Sequence, residues 1–157
     1  MAKPQVIHLA STHRPFDVRI FQKECRTLVE AGYEVTYIVP HTHHEVCDGV
    51  QIRAVPLPQT GRARLTQTLR QLYDAARATP PDALIHFHDA ELLPYMLRLK
   101  RQGRRIIYDA HEDTPRQVMH MAWIPKVARP FVARLMQRWE RLAGLHFDGI
   151  IGVCFLC

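Results

Sequence analysis

The order of segments at the start of the chain is the feature that most constrains its fold. A short apolar run at residues 6–11 is followed by a polar loop and by a segment with helical spacing at residues 19–31. Gly32 stands where that helix would end, and a run rich in β-branched and aromatic residues then occupies residues 34–39. A strand, a helix and a second strand in this order predict a doubly wound α/β fold.

The rest of the chain continues this alternation. We predict further strands at residues 50–55, 83–87, 105–108 and 148–153, and helices at residues 61–78, 91–102 and 127–145. The result is a doubly wound, mostly parallel, Rossmann-like sheet of about six strands with helices on both faces. Residues 41–49 are predicted to be a polar loop. Residues 109–125 are predicted to be a long loop, of the kind that usually carries function.

The composition is that of one ordinary globular domain. The 157 residues are 47% hydrophobic and 23% charged, which argues against disorder, and a chain of this length buries a sizeable core. Its apolar runs are too short to span a bilayer, and its N-terminus lacks the apolar core of a signal peptide. We therefore expect a cytoplasmic protein.

The net charge of +6 favours an anionic partner, either a phosphate-bearing ligand, an acidic membrane surface or nucleic acid. Nucleic acid is disfavoured, because the sequence has no basic motif with interleaved aromatic residues. Cys154 and Cys157 have the C-x-x-C spacing, but they lie in an apolar terminal segment with no second pair. We predict neither a redox site nor a zinc site there.

The loop after the first strand is the first of three that end at the carboxyl edge of the predicted sheet, where ligands bind. It contains His13, Arg14, Asp17 and Arg19 and no glycine, so the dinucleotide fingerprint G-x-G-x-x-G is absent. Arg19 would lie in the first turn of the helix, where anions are captured. The alternative is that Asp17 is an N-cap and Arg19 a solvated residue.

The loop after the fourth strand contains His86, His88, Asp89 and Glu91. Two histidines two residues apart, with a carboxylate beside them, could ligate a metal. The alternative is a set of polar residues that close the strand, with Asp89 capping the next helix. We expect no metal here, because no complete ligand set with standard spacing appears.

The loop after the fifth strand contains Asp109, His111, Glu112 and Asp113. A histidine in this place can donate a hydrogen bond to a developing oxyanion or to a sugar hydroxyl. Carboxylates there can accept from hydroxyls or act as bases. A loop of acidic helix caps is the structural alternative. We favour a functional role, because the loop lies at the carboxyl edge of the sheet.

Three segments carry a resemblance: HLASTHRPFDVRIFQKECRTLVEAGYEVTYI, HFHDAELLPYMLRLKRQGRRIIYDAHEDTPRQV and WERLAGLHFDGII. Taken together they resemble the N-terminal domain of retaining glycosyltransferases of family 4, and their order and spacing match across nearly all of residues 5–153. The resemblance implies the GT-B architecture, in which two Rossmann-like domains face a cleft. The N-terminal domain mainly holds the acceptor, and the C-terminal domain binds a nucleotide sugar.

The resemblance also implies roles for single residues. His111, in YDAHED, is similar to the histidine of the family that meets the donor sugar in the cleft. The loop from His13 to Arg19 resembles the segment that approaches the donor phosphates and the acceptor. We expect the cleft to be lined by the polar residues after the fourth and fifth strands, namely His88, Asp89, Glu91, Asp109, Glu112 and Asp113. No metal or other cofactor is implied, because catalysis in the family is metal-independent.

The second domain of the family has no counterpart in this sequence. Residues 1–157 account for one acceptor-side domain, and no E-x7-E segment of the donor domain is present. A truncated product, a shifted reading frame and a donor domain supplied by a separate chain all explain this. Under each of these three explanations we expect the chain alone to be inactive.

Two functions follow as hypotheses. The first is a glycosyltransferase that transfers a hexosyl unit from a nucleotide sugar to a glycan or lipid-linked acceptor with retention, in polysaccharide or glycolipid assembly. His111 would assist at the anomeric centre, and Arg14 and Arg19 would hold phosphate. The alternative is a non-catalytic α/β module that binds an acceptor or a partner. A free-standing nucleotide-binding domain is disfavoured, because phosphate-loop motifs are missing.

Many members of the family are peripheral membrane proteins, so the resemblance implies association with the inner face of the membrane. The candidate basic surfaces are residues 126–141 and 98–105. We interpret the first segment instead as a core-packing helix, because its apolar stripe is needed to cover the sheet. The members of that stripe are Val127, Phe131, Leu135, Met136, Trp139 and Leu142.

Overall fold

The computed structural model of the chain describes residues 3–111, 114–122 and 124–152. Within these ranges seven strands form one sheet, in the order β3-β4-β2-β1-β5-β6-β7. All neighbouring strands are parallel except β3 and β4. The strands are β1 Gln5–Leu9, β2 Glu34–Pro40, β3 Glu45–Cys47, β4 Val50–Val55, β5 Leu84–Phe87, β6 Arg105–Ala110 and β7 Gly149–Gly152.

Helices cover both faces of this sheet, which confirms the predicted fold class. Helix α1 begins as a π-helix, Val18–Cys25, and continues as Arg26–Glu30. Helix α2 comprises Gly61–Ala63, a π-helical segment Arg64–Thr68 and Leu69–Arg77. Helix α3 comprises a 3₁₀ turn, Ala90–Leu92, and Leu93–Arg101. Helices α4 and α5 are Thr114–His120 and Arg129–His146.

The two faces of the sheet carry different side chains. On one face the apolar residues of β1, β5 and β6 pack against α2, α3 and α5 in the larger core. On the other face α1 packs against β2 and β4. Successive residues of a strand point to opposite faces, so His8 and His86, which are register partners in β1 and β5, lie on the face opposite Ile7 and Ile85. Polar side chains therefore enter the interior on the α1 side.

Two elements differ from the sequence-based prediction. The segment predicted as a polar loop at residues 41–49 contains β3, which pairs antiparallel with β4. Their two-residue turn has positive φ at Asp48 (49°) and Gly49 (79°), as this hairpin type requires. A Cβ at Gly49 would lie 2.8 Å from Cγ1 of Val29, so the position also needs glycine for space. The second element is α4, which lies within the predicted loop at residues 109–125.

Helix α5 packs against the core with only part of the predicted stripe, namely Met136 and Trp139. Val127 and Phe131 are 82% and 70% exposed, whereas Met136 and Ala143 are buried and Val132 packs against the same core. The helix carries apolar residues on two stripes, and the stripe that contains Val132 meets the sheet. Within the described ranges, no helix is both long enough and apolar enough to cross a bilayer.

Candidate active site

Polar side chains from β1, β5 and β6 meet at one edge of the sheet. These strands are parallel neighbours, so their carboxyl ends lie together. His8 lies near the end of β1, His88 directly follows β5, and Asp109 and His111 lie at the end of β6. Three of the predicted site residues, His88, Asp109 and His111, thus lie together with His8, which was not among the predicted site residues.

Three imidazoles form a hydrogen-bonded row from the interior to the cleft. Nδ1 of His8 lies 3.0 Å from Nε2 of His88, and Nδ1 of His88 lies 3.1 Å from Nε2 of His111. The side chains of His8 and His88 are fully buried, whereas that of His111 is partly exposed. The protonation of His111 is therefore coupled to groups that solvent does not reach.

Asp109 anchors this row. Nη2 of Arg19 donates to both of its carboxylate oxygens, at 2.7 and 2.8 Å, and Oδ2 of Asp109 lies 3.4 Å from Nε2 of His111. Burial opposes ionisation of Asp109, but the hydrogen bond from His88 and the electrostatic interactions with His111 and the Arg19 guanidinium outweigh it and lower the pKa to about 2. Asp109 is a carboxylate at neutral pH that holds His111 and Arg19 in place.

The π-helical start of α1 puts two of its residues into the site. A π-helix bonds residue i to residue i+5, so residues five apart come together on its surface. Nε of Arg19 accordingly donates to Oε1 of Glu24 at 3.3 Å. In a regular α-helix the neighbours are three and four residues apart, and Glu24 would face away from Arg19.

Burial favours the neutral form of three of these histidines, His8, His86 and His111. It lowers the pKa of His86 to about 3, with a further contribution from His88, and it lowers the pKa of His8 well below its usual value. Burial also lowers the pKa of His111, although Asp109 opposes this. A neutral His111 can donate one hydrogen bond and accept another, which suits contact with a sugar hydroxyl.

Asp89 and Glu91 hold the loop that follows β1. The backbone N–H of Ser11 donates to Oδ2 of Asp89 at 2.6 Å, and the hydroxyl of Ser11 donates to Oε1 of Glu91 at 2.6 Å. Thr12 also donates to Asp89, and Arg64 donates to Glu91. Asp89 stands at the N-cap position of α3, but its side chain makes no cap hydrogen bond there and binds the loop after β1 instead.

Some residues of the loop after β1 stabilise the fold, and others border the cleft. Asp17 accepts from the N–H groups of Arg19 and Ile20 at 2.8 and 3.0 Å and is the N-cap of α1, as the structural alternative predicted. The ring of His13 lies 5.2 Å from that of His111 and borders the cleft. Arg14 is exposed. Arg19 forms ion pairs with Asp109 and Glu24, so it is not only a solvated residue.

A cavity of about 860 Å³ opens beside His111. Part of its lining is polar and includes the exposed Thr12; we call this part the mouth, and its other members are His13, Glu91 and His111. Another part, which we call the apolar wall, comes from α2, α3, α5 and the region of α4, with Leu65, Tyr95, Val118, Met121, Val132 and Trp139. The cavity is large enough for a small organic ligand, and its two kinds of lining suit a ligand with a polar head and an apolar body.

Two predicted cleft residues, Glu112 and Asp113, lie outside the described residues. Two residues of the cluster were missed, His8 and Glu24. His8 lies within an apolar run that reads as an ordinary buried strand. Glu24 is five residues from Arg19, a spacing that indicates contact only if the helix is a π-helix.

The model of Glycosyltransferase Family 4 matches residues 18–154 of the chain. The chain belongs to glycosyltransferase family 4. Among solved structures, the sucrose-phosphate synthase of Thermosynechococcus elongatus is similar to this family 4 chain, with a TM-score of 0.60 and 13% sequence identity. The match covers 99% of the chain and 48% of that structure, so the chain spans about half the length of the synthase. The shared architecture is the Rossmann-like fold of GT-B enzymes. No curated protein sequence matches the chain.

Proposed function

We propose that the chain forms the acceptor side of a glycosyltransferase that moves a hexosyl unit from a nucleotide sugar onto its acceptor with retention. The observation that carries this proposal is the cavity beside His111, at the edge of the sheet where α/β proteins bind ligands. A hydroxyl of the acceptor would lie at the polar mouth, next to His111 and His13.

The acceptor in this proposal has an apolar portion. The apolar wall of the cavity is formed by aliphatic and aromatic side chains, and Tyr95 and Trp139 are among them. A free glycan would leave its hydroxyls unpaired against such a wall, which is unfavourable. A lipid-linked acceptor would bury its tail there and keep its sugar at the mouth. We therefore favour a lipid-linked acceptor over a free glycan, and place the reaction in polysaccharide or glycolipid assembly.

His111 is the residue that would meet the reacting centre. Its Nε2 faces Asp109 and His88, which fix the orientation of the ring, and its partial exposure leaves it accessible from the cleft. We propose that His111 contacts a hydroxyl of the transferred sugar and that the donor phosphates approach the exposed Arg14. The transfer step itself uses no metal ion in this proposal. Charge developing on the donor would then be met by protein groups.

Donor binding belongs to a second domain in this proposal. The chain corresponds to about half of the synthase structure, and a GT-B cleft needs two halves. The donor-binding half would lie in a longer product of the same gene or in a separate chain. The 157 residues alone would bind the acceptor and transfer negligible sugar.

Binding to the cavity is tested with two glucosides that differ only in their tails. We expect n-octyl β-D-glucoside, below its micellar concentration, to change the fluorescence of Trp139, which lines the cavity, and methyl β-D-glucoside to have no effect at equal concentration. Burying the tail contributes about 0.8 kcal/mol per methylene group. A Trp139→Phe variant assigns the signal, since the chain has two tryptophans.

Leu65→Gln, in the cavity wall, should weaken octyl glucoside binding roughly tenfold. The matched control is Leu57→Gln, because Leu57 is exposed and outside the cavity. Equal response to both glucosides, or equal binding by both variants, would contradict an apolar acceptor site.

Transfer is tested separately, with radiolabelled UDP-glucose and GDP-mannose as donors and octyl glucoside as acceptor. We expect no labelled product from the chain alone. If the gene continues into a donor domain in any reading frame, we expect the longer product to transfer labelled sugar to the acceptor. His111→Ala in that product should abolish the transfer. Acceptor binding without transfer by the longer product would instead identify a non-catalytic acceptor-binding module.

Membrane association follows from an exposed apolar stripe that begins just before α5 and continues along it. Val127, Phe131 and Leu135 are exposed beside Lys126 and Arg134, and such a surface suits an acidic bilayer. We propose attachment to the inner face of the membrane, in a cytoplasmic protein. The chain should sediment with phosphatidylglycerol vesicles and not with phosphatidylcholine vesicles, and Phe131→Ser should reduce sedimentation severalfold. Equal sedimentation of the variant would refute the role of this stripe.

A further inference from the structure

We propose that His8, Glu24 and His88, together with His86, form a binding site for a transition-metal ion, best fitted by Zn²⁺, buried between α1 and the sheet beneath the cleft. The proposal does not depend on the glycosyltransferase activity. It departs from the expectation that His86 and His88 bind no metal, because His8 and Glu24, which are distant from them in the sequence, complete the ligand set. The ion would brace the floor of the cleft and would not touch the donor, because the side chains of His8 and His88 are fully buried.

The distances among three of these side chains fit a metal ion. Nδ1 of His8 lies 3.0 Å from Nε2 of His88, and Oε2 of Glu24 lies 3.9 Å from the first of these atoms and 3.7 Å from the second. The centre of this triangle is about 2.1 Å from each corner, which is the length of a Zn–N or Zn–O bond. An ion at that point would replace the direct contact between the two histidines.

His86 is placed to complete a four-coordinate set. It is the register partner of His8 in the neighbouring strand, and its ring lies 4.7 Å from that of His8 and 4.6 Å from that of His88. One ligand atom from each of the four residues lies within 4.8 Å of all the others. Rotation of the His86 ring would bring its nitrogen to the ion.

Unpaired polar atoms mark the same place. Oε2 of Glu24 and Nε2 of His86 are buried, and neither has a hydrogen-bond partner among the described residues. A buried polar atom without a partner costs about 1–3 kcal/mol, and more if it is charged. Burial accordingly raises the pKa of Glu24, although His88 opposes this. A cation bound by this carboxylate would remove the cost.

The surroundings supply the second layer of contacts that metal ligands usually have. Nδ1 of His88 faces Oδ2 of Asp109 at 3.5 Å, an arrangement of carboxylate, histidine and metal that is common at zinc sites. Oε1 of Glu24 accepts from Nε of Arg19 at 3.3 Å, which leaves Oε2 for the ion. His8 and His86 are neutral, which is the form of imidazole that binds metals.

The test is a titration of the full chain, stripped with a chelator, with Zn²⁺ alone in a calorimeter. We expect one ion per chain, a rise in the melting temperature, and affinity reduced roughly 100-fold in Glu24→Gln and in His86→Gln. Double replacement of His41 and His43 by Gln is the matched control. These residues form a histidine–carboxylate group with Glu45, but His43 is 64% exposed, and binding should be unchanged.

The absorption spectrum of bound Co²⁺ distinguishes this site from one formed by cysteines. Bound to nitrogen and oxygen ligands it should show d–d bands without the charge-transfer band of a thiolate, and Cys154→Ser with Cys157→Ser should leave the spectrum unchanged. Lack of Zn²⁺ binding by the wild-type chain would overturn the proposal. Retention of binding by folded Glu24→Gln and His86→Gln, or its loss in the cysteine variant, would overturn it equally.

Discussion

Arg19→Met is expected to lower the free energy of unfolding by about 3 kcal/mol. Asp109 is 1% exposed, and both of its oxygens accept from Arg19. Methionine retains much of the aliphatic length of arginine but donates no hydrogen bond, so a buried carboxylate is left without its main partner. Urea unfolding followed by circular dichroism measures the loss.

A double-mutant cycle with Asp109→Asn isolates the pair. Once the carboxylate is replaced by an amide, removal of Arg19 should cost much less, and the two changes together should destabilise the fold by less than their sum. Arg19→Lys serves as the control that keeps the charge but loses the second donor, Nε, which binds Glu24, and its stability should fall between those of the wild type and Arg19→Met. Strict additivity in the cycle would show that the pair contributes no coupling.

Phe87→Ala is expected to be at least as destabilising, at about 3–5 kcal/mol. Phe87 is fully buried in β5, its ring stacks on that of Tyr108 at 4.7 Å, and it meets the ring of Phe147 edge-on at 5.7 Å. Alanine removes both ring contacts and leaves a cavity that the surrounding strands cannot fill. The loss is measured by urea unfolding.

The control for this cavity is Phe131→Ala, since Phe131 is 70% exposed on α5. That replacement should change the free energy of unfolding by no more than about 0.5 kcal/mol. If both variants lost the same stability, burial of Phe87 would not be the cause of its effect.

The sheet was predictable because its strands are apolar runs separated by helices with clear periodicity. The hairpin of β3 and β4 was not predicted, since three residues are too few to show a strand pattern, although the Asp48-Gly49 turn was a usable signal. The packed face of α5 was predicted in part. The predicted stripe contained Met136 and Trp139, which pack in the core. It also contained Phe131 and Leu135, which are exposed, because periodicity alone does not fix which part of a broad apolar stripe meets the sheet.

The candidate site was predictable only in part. The rule that ligands bind at the carboxyl edge of parallel strands placed His88, Asp109 and His111 in one region, and the structure brings these three together. The bond between Arg19 and Asp109 joins residues ninety positions apart, and no local pattern indicates such a pair. The role of Asp89 in holding the loop after β1 is likewise a contact between distant segments.

The π-helical start of α1 has a consequence for the comparison of sequences. Arg19 and Glu24 share a surface here because the helix is wound one residue wider per turn. In a relative whose helix is regular, the acidic residue that fills the same place would stand four positions after the arginine, not five. An alignment of such a relative without a one-residue gap in this helix would pair Glu24 with the wrong position and hide the shared cluster.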